Sequence, residues 1–221
     1  MFQPHPSCIL TEHFRQKPYQ GADPRSARFL FVGLDANYAA DVESSPIFPR
    51  VIEYHRDGPA FWRNSGVHHP FLLPEYKGDG RRYHRTFAKI GFQPSRADQI
   101  SFVELLDRPT VGQSTLVARD LGPQHLSHLH RVIFDGAAQF IFLSAGVQRL
   151  LVASGSFPRL STVRRHQGAL RVLYEDDCQA IFLHLHFSNY GKFELQLQAE
   201  AEEIFALLAD SVKKGSLLVK W

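Results

Sequence analysis

Residues 28–43 read RFLFVGLDANYAADVE. Phe29 to Val32 form a continuous apolar run of strand length, which reads as a strand buried on both faces of a sheet. Gly33 breaks the run, and Asp35 and Asn37 follow at once. A core strand is thus carried straight into a glycine, a carboxylate and an amide. A glycine lets the backbone approach a ligand closely, and in open parallel sheets ligands sit beyond the carboxyl ends of the strands. The plain alternative is a turn or a helix cap, which Asp and Asn both favour.

Outward from this strand, apolar runs and helical patterns alternate. QISFVELLD (99–107) reads as a second strand, AQFIFLSAG (138–146) as a third, and ALRVLYEDDCQAIFLHLHFSNYG (169–191) as a hairpin turning at Glu175–Asp177 into a final strand. RRYHRTFAKIGF (81–92) places Tyr83, Phe87 and Ile90 at helical spacing, with Gly91 as C-cap. Helices are expected after Pro123, over VQRLLVAS (147–154) and over residues 193–215. The last has Leu195, Leu197, Ile204, Leu207 and Leu208 as its apolar face, and Lys213 and Lys214 at its negative dipole end. Residues 39–82, rich in proline and glycine, read as a long irregular region of the kind that often carries function. Strands alternating with helices predict a parallel sheet covered on both faces. Residues 1–27 are expected to form an N-terminal arm with a short helix near Cys8–Phe14, and residues 28–221 a single domain.

Composition bounds the function. The chain has 221 residues, 44% hydrophobic and 21% charged, with a formal net charge of +3. That is enough for one sizeable domain, and the mild basic excess permits a polyanionic partner without requiring one. No apolar run approaches a membrane span. The N-terminus shows no basic-then-apolar leader, so an intracellular, membrane-free monomer is expected. Two cysteines, Cys8 and Cys178, give no disulfide framework and fit buried thiols in a reducing compartment. His125, His128 and His130, and the pair His184 and His186, suggest a metal at first sight. His130 lies off the face shared by the other two, and no carboxylate completes either set, so neither metal nor cofactor is expected.

Three separated stretches carry a resemblance: Gly33-Leu34-Asp35-Ala36-Asn37, Glu104-Leu105-Leu106-Asp107-Arg108-Pro109-Thr110, and His186-Phe187-Ser188-Asn189-Tyr190. In this order the chain resembles the uracil-DNA glycosylase superfamily, and within it the mismatch-specific uracil/thymine glycosylases. Their first strand runs into G-I-N-P-G, their second ends in K-L-V-D-R-P-T, and their last ends in N-P-S-G-L-S or, in the uracil-specific members, H-P-S. Pro70-Phe71 stands where the family has a Pro-Phe. The likeness covers about residues 28–210. The chain departs from it at Ala36 and Phe187, where the family has prolines, and at Asn37, where it has glycine.

The resemblance implies a central four-stranded parallel sheet flanked by helices and an enzyme that hydrolyses the N-glycosidic bond of a damaged or mismatched base in DNA. Such a base must leave the stack and enter a pocket. On this reading Asp35 positions the attacking water and favours the cationic sugar. His186 stabilises the departing base. Gly33, Asn37 and Phe71 bind the base, Phe71 by stacking. Ser188, Asn189, Tyr190, Lys192 and Arg108 contact DNA, with RRYHR (81–85) and RRHQG (164–168) as further basic runs. For Phe71 and His186, an ordinary core ring and a satisfied strand-end histidine are the alternatives. Two rival functions remain open: a nucleic-acid-binding module of this fold with little or no catalysis, and an N-glycosidic hydrolase acting on a small nucleoside.

Overall fold

The computed structural model describes residues 2–112 and 115–217, and for 210–217 the backbone alone. In chain order the strands are β1 (Gln3–Pro4), β2 (Tyr19–Gly21), β3 (Phe29–Gly33), β4 (Ile100–Glu104), β5 (Thr110–Val111), β6 (Phe140–Ser144), β7 (Arg165–Gln167), β8 (Leu170–Glu175) and β9 (Ala180–His184). The helices are α1 (Cys8–Gln16), α2 (Phe48–Arg56), α3 (Gly58–Ser65), α4 (Arg81–Ala88), α5 (Pro123–Phe134), α6 (Ala145–Ala153) and α7 (Glu194–Leu217). The fold is mixed α/β. One sheet of seven strands runs in the order β2-β4-β3-β6-β9-β8-β7, and a small two-stranded sheet pairs β1 with β5.

The central four strands, β4-β3-β6-β9, are parallel to one another. The expected parallel sheet is therefore the middle of a wider mixed one. Antiparallel edges extend it: β2 beside β4, and β8 then β7 beside β9. The apolar runs explain why the centre is parallel, since every residue of Phe29–Val32 is buried and both faces must be covered.

Side chains alternate along each strand, so the two faces have different chemistry. Leu30, Val32, Val103, Ile141, Leu143, Ile181 and Leu183 pack with α5 and α6 in an aliphatic layer. Phe29, Phe31, Phe102, Phe142 and Phe182 face the other way, against α3, α4 and α7. There Phe31 stacks on Phe102 at 5.6 Å and on Phe142 at 4.8 Å, and Phe142 on Phe182 at 5.5 Å. Of the helices after β3, α3 and α4 cover the aromatic face, and α6 after β6 covers the aliphatic one. Because β3 and β6 are neighbours, the chain splits to opposite faces between them, the switch point at whose carboxyl ends open sheets of this kind hold ligands.

Several expectations change. Residues 39–82 are not irregular: they hold α2 and α3. The prolines there start helices, Pro49 and Pro59 standing in the first turns, with Asp57 Oδ1 accepting from Ala60 N at 2.9 Å as the cap of α3. Residues 1–27 are not a detached arm, because β2 extends the main sheet and Leu10 and Phe14 of α1 are buried. Cys8 and Cys178 are free but exposed. In α7, Leu197, Ile204 and Leu207 are buried as expected, whereas Leu195 is 84% exposed, because it lies off the stripe that they form. Lys213 and Lys214 lie outside the residues whose side chains are described. Among the described residues no helix is long and apolar enough to cross a membrane.

Five histidines stand in the walls around the sheet: His55 on α2, His68 and His69 beyond α3, His84 on α4 and His184 at the end of β9. Burial holds all five below the ordinary histidine range, with His55, His68 and His184 at about 3. An unfolded histidine takes its proton near pH 6.5. Below that the unfolded chain binds more protons than the folded one, so stability falls as the pH falls from about 6.5 toward 3. The urea midpoint should therefore drop between about pH 7 and about pH 5, as the unfolding free energy falls by up to roughly 1.4 kcal/mol per pH unit for each histidine kept neutral. A midpoint that stays level or rises over this range would show that these rings are protonated in the folded protein.

Candidate active site

Asp35 lies just beyond β3 and is held by the LLDRPT segment that follows β4. The Thr110 hydroxyl donates to Asp35 Oδ2. The same hydroxyl accepts from Asn37 Nδ2 at 3.2 Å, and Asn37 Nδ2 also donates to the Gly112 carbonyl. Backbone bonds close the clamp: Thr110 N to Ala36 O at 2.9 Å, and Tyr38 N to Thr110 O at 3.0 Å. Thr110 is fully buried. The amide of Asn37 is therefore spent on fixing two loops against each other. The N-terminal segment braces them from outside, with His5 N bonded to Pro109 O at 2.9 Å and β1 paired to β5.

Gly33 stands opposite Glu104 in the β3–β4 register. A Cβ built on Gly33 would lie 2.0 Å from Glu104 Oε2. The glycine thus leaves room for the carboxyl group of its neighbouring strand, and this is what the break in RFLFVGLDAN permits. Glu104 as a residue is partly exposed, but its carboxyl is turned over the glycine. Among the described residues no hydrogen bond or ion pair is made by this carboxyl. Burial, and then the charge of Asp35, push it up to about 8. It therefore carries a proton at neutral pH. The buried phenols of Tyr38, Tyr54 and Tyr83 also feel its charge and are themselves raised, chiefly by burial.

His186 follows β9, which ends at His184, so it is a loop residue and not part of the strand. Its Nδ1 accepts from Ser188 N at 3.3 Å. In the neutral ring this leaves the proton on Nε2, a donor. Burial lowers its pKa and Asp35 opposes that shift, so Asp35 and His186 are electrostatic neighbours. The Tyr83 ring lies 5.4 Å from that of His186 and 5.3 Å from that of Phe187. Phe187, in the position where the resemblance has a proline, is buried against Phe31, Phe87 and His184 and anchors the loop in the core.

Beyond it, Ser188 and Tyr190 are exposed, Tyr190 to 67%, and Arg82 of α4 lies over the Tyr190 ring at 4.2 Å. Asn189, partly exposed, turns back through its N–H to His186 O at 2.9 Å. Lys192 is exposed and lies over Phe193. Arg108 is exposed and paired with Asp107 at 2.9 Å. The basic run at 164–168 falls at β7, the far edge of the sheet, where Arg165 pairs with Glu175 at 2.5 Å.

Phe71 is 4% exposed and belongs to a separate cluster with Tyr38 and Tyr76. Tyr76 covers one face of its ring at 4.1 Å, nearly parallel, so Phe71 packs as a core ring. The histidines of α5 do not converge: His125 Nε2 bonds to Glu104 O at 2.8 Å, while His130 packs on Phe134 and Phe157. Among the described residues no group of three or more His, Cys, Asp or Glu side chains is placed to hold a metal ion. Two clefts of about 510 Å³ lie elsewhere, one beside α2 and α3 and one at the amino ends of β6 and β9. Neither includes Asp35, Glu104 or His186, which lie at the carboxyl ends of β3, β4 and β9 and are linked electrostatically through Asp35.

The residues that sequence reasoning missed are Glu104, Thr110 and Tyr83. Thr110 and Glu104 lay within a quoted motif. The signal for Glu104 was its place as the last residue of a buried strand, the position at which Gly33 drew attention in the neighbouring one. Comparison with protein-family models gives no match, and comparison with curated proteins gives none either.

Gly33→Ala tests the cradle. The clashing atoms are the end of a flexible side chain, so folding should survive while the carboxyl swings toward water. Carbon-detected NMR titration should find Glu104 titrating high in the wild type and near the ordinary glutamate value of about 4.5 in the variant. An unchanged titration would mean that the glycine does not shape this site.

Proposed function

We propose that the chain hydrolyses the N-glycosidic bond of a modified or mismatched base in DNA, on a fold of the uracil-DNA glycosylase kind. One observation carries the reading: Asp35 and His186, distant in sequence, lie beyond the carboxyl ends of β3 and β9, near enough that the charge of Asp35 acts on the His186 ring. Asp35, oriented by the Thr110 hydroxyl, is suited to hold a water and to favour positive charge on the sugar. His186, neutral with its Nε2–H available, is suited to donate to a carbonyl of the base as negative charge gathers there. The fold supports the reading through its four central parallel strands and the switch point between β3 and β6. Arg82, Ser188, Tyr190 and Lys192 form a rim that suits a phosphate backbone.

The experiment uses duplex oligonucleotides carrying uracil, hypoxanthine, xanthine or mismatched thymine, with base release read as alkali-labile sites under single-turnover conditions. Wild type should release at least one of these bases. Asp35→Asn should slow release by roughly a hundredfold or more, because the carboxylate acts on charge present only in the transition state. DNA affinity of the variant should hold or tighten, since a negative charge near phosphates is gone. Equal rates for wild type and variant would reduce Asp35 to a turn residue.

Affinity for the duplex should also fall steeply between low and moderate salt, as cations are released from the phosphates. A salt-independent affinity, with cleavage of free nucleosides instead, would assign the site to a small substrate.

A further inference from the structure

Glu104 is not needed by the mechanism just described. A water-positioning carboxylate and a neutral donor suffice to expel a pyrimidine such as uracil, whose two carbonyls spread the negative charge of the departing anion. Yet the chain places a second carboxyl against Asp35, over a glycine, with no hydrogen bond from the described residues to satisfy it. The residue is partly exposed, so the carboxyl held over the glycine can be reached by a bound substrate. The groups facing it are Asp35 beyond β3, Tyr38, Tyr54 on α2 and Tyr83 on α4. His186 feels the charge of Asp35 as well. None of these is a cation at neutral pH that would strip the proton from Glu104. The strand end that carries it is fixed from the other face by His125 Nε2 on the Glu104 carbonyl.

We infer that Glu104 is the general acid of this site and that the base released is a deaminated purine, which departs as a neutral molecule after protonation. The inference rests on the glycosidic reading above. A purine leaves poorly as an anion and well once a ring nitrogen is protonated, so a carboxylic acid beside the leaving group matches a purine and adds little for uracil. The proton of Glu104 passes to a ring nitrogen of the base. The C1′–N9 bond breaks with its electron pair on the base, which departs neutral. Water adds to C1′ and gives its proton to Asp35. Glu104 ends as a carboxylate and Asp35 as an acid, and proton exchange with solvent restores both. His186 donates Nε2–H to the carbonyl that deamination has placed on the purine. Two carboxyl groups with different environments thus divide acid and base roles.

The test compares hypoxanthine and uracil in the same duplex context, for wild type and Glu104→Gln, by single-turnover release, with a thermal melt of each protein. Wild type should release hypoxanthine faster than uracil. The variant keeps the size and polarity of the side chain but has no acidic proton. Its hypoxanthine-to-uracil rate ratio should fall by roughly a hundredfold. The wild-type hypoxanthine rate should also decline about tenfold per pH unit above the Glu104 value of about 8, and the variant should lack that limb. The wild-type profile stands alone if the variant fails to fold. Faster release of uracil by wild type, an unchanged ratio in the variant, or a wild-type rate level through pH 9 would overturn the role of Glu104 and leave the glycosidic reading in place. Release of no base from any duplex would remove that reading, and this inference with it.

Discussion

Four phenylalanines, Phe102, Phe31, Phe142 and Phe182, stack across the four parallel strands in that order. Their positions coincide with the backbone registers Phe31↔Phe102, Phe31↔Phe142 and Phe142↔Phe182. Aromatic pairs of this kind contribute about 0.5–1.5 kcal/mol each beyond the area they bury. Their larger effect is on register. A slip of one residue would turn each ring to the aliphatic face and each leucine to the aromatic one, and both layers would then be mispacked. With the ladder in place, the strand ends are level: Gly33 faces Glu104 and Ser144 faces His184. The carboxyl over the glycine is therefore a consequence of core packing several residues away.

The loops beyond those ends are held by a different means. Asp35 takes its orientation from the Thr110 hydroxyl, Thr110 takes its place from the backbone of Ala36 and Tyr38, and Pro109 is tied to His5. The first residues of the chain thus support a site formed by segments far from them in sequence. Ser7 adds to this brace by capping α1 through Leu10 N at 3.0 Å and bonding Glu43 in the segment after Tyr38. Asp35 is thereby fixed, while the Glu104 carboxyl has no hydrogen-bond partner among the described residues. The two carboxyls differ in support, and that difference matters chemically: a held carboxylate suits a fixed water, and an unpaired acid suits a proton that must move.

Much of this was legible in the sequence, and the part that was not has physical reasons. The four central strands were legible as apolar runs too short for a buried helix, rich in aromatic and β-branched residues and bounded by breakers such as Gly33 and Pro109. The motif ends drew attention to Asp35 and His186, which follow β3 and β9. Residues 39–82 were misread because proline marks both irregular chain and the first turn of a helix, and here it did the second. Leu195 was misread because one more leucine near a helical stripe is not thereby on it. Glu104 was passed over because its neighbour is Gly33 on another strand, and strand pairing is a tertiary fact that no single stretch contains. Phe71 had the motif position of a stacking ring, yet Tyr76, only five positions on, already covers a face of it.

Ala36 and Phe187 stand where the motifs that the chain resembles have prolines, and what replaces them can be understood through what a proline supplies. It fixes φ and removes an N–H, and so stiffens a loop covalently. In this chain the stiffness comes from tertiary contacts. The Ala36 carbonyl accepts from Thr110 N and its methyl group is buried beside Tyr38. Phe187 inserts its ring among Phe31, Tyr83, Phe87 and His184. The His186 loop is then only as rigid as the aromatic layer beneath it, and Phe31 belongs both to that layer and to the ladder that sets the strand register. Loop geometry and register are therefore coupled through one ring. A change that loosens the aromatic layer must disturb the position of His186 and the level of Gly33 with Glu104 together, whereas a proline-built loop would keep its shape while the core relaxed.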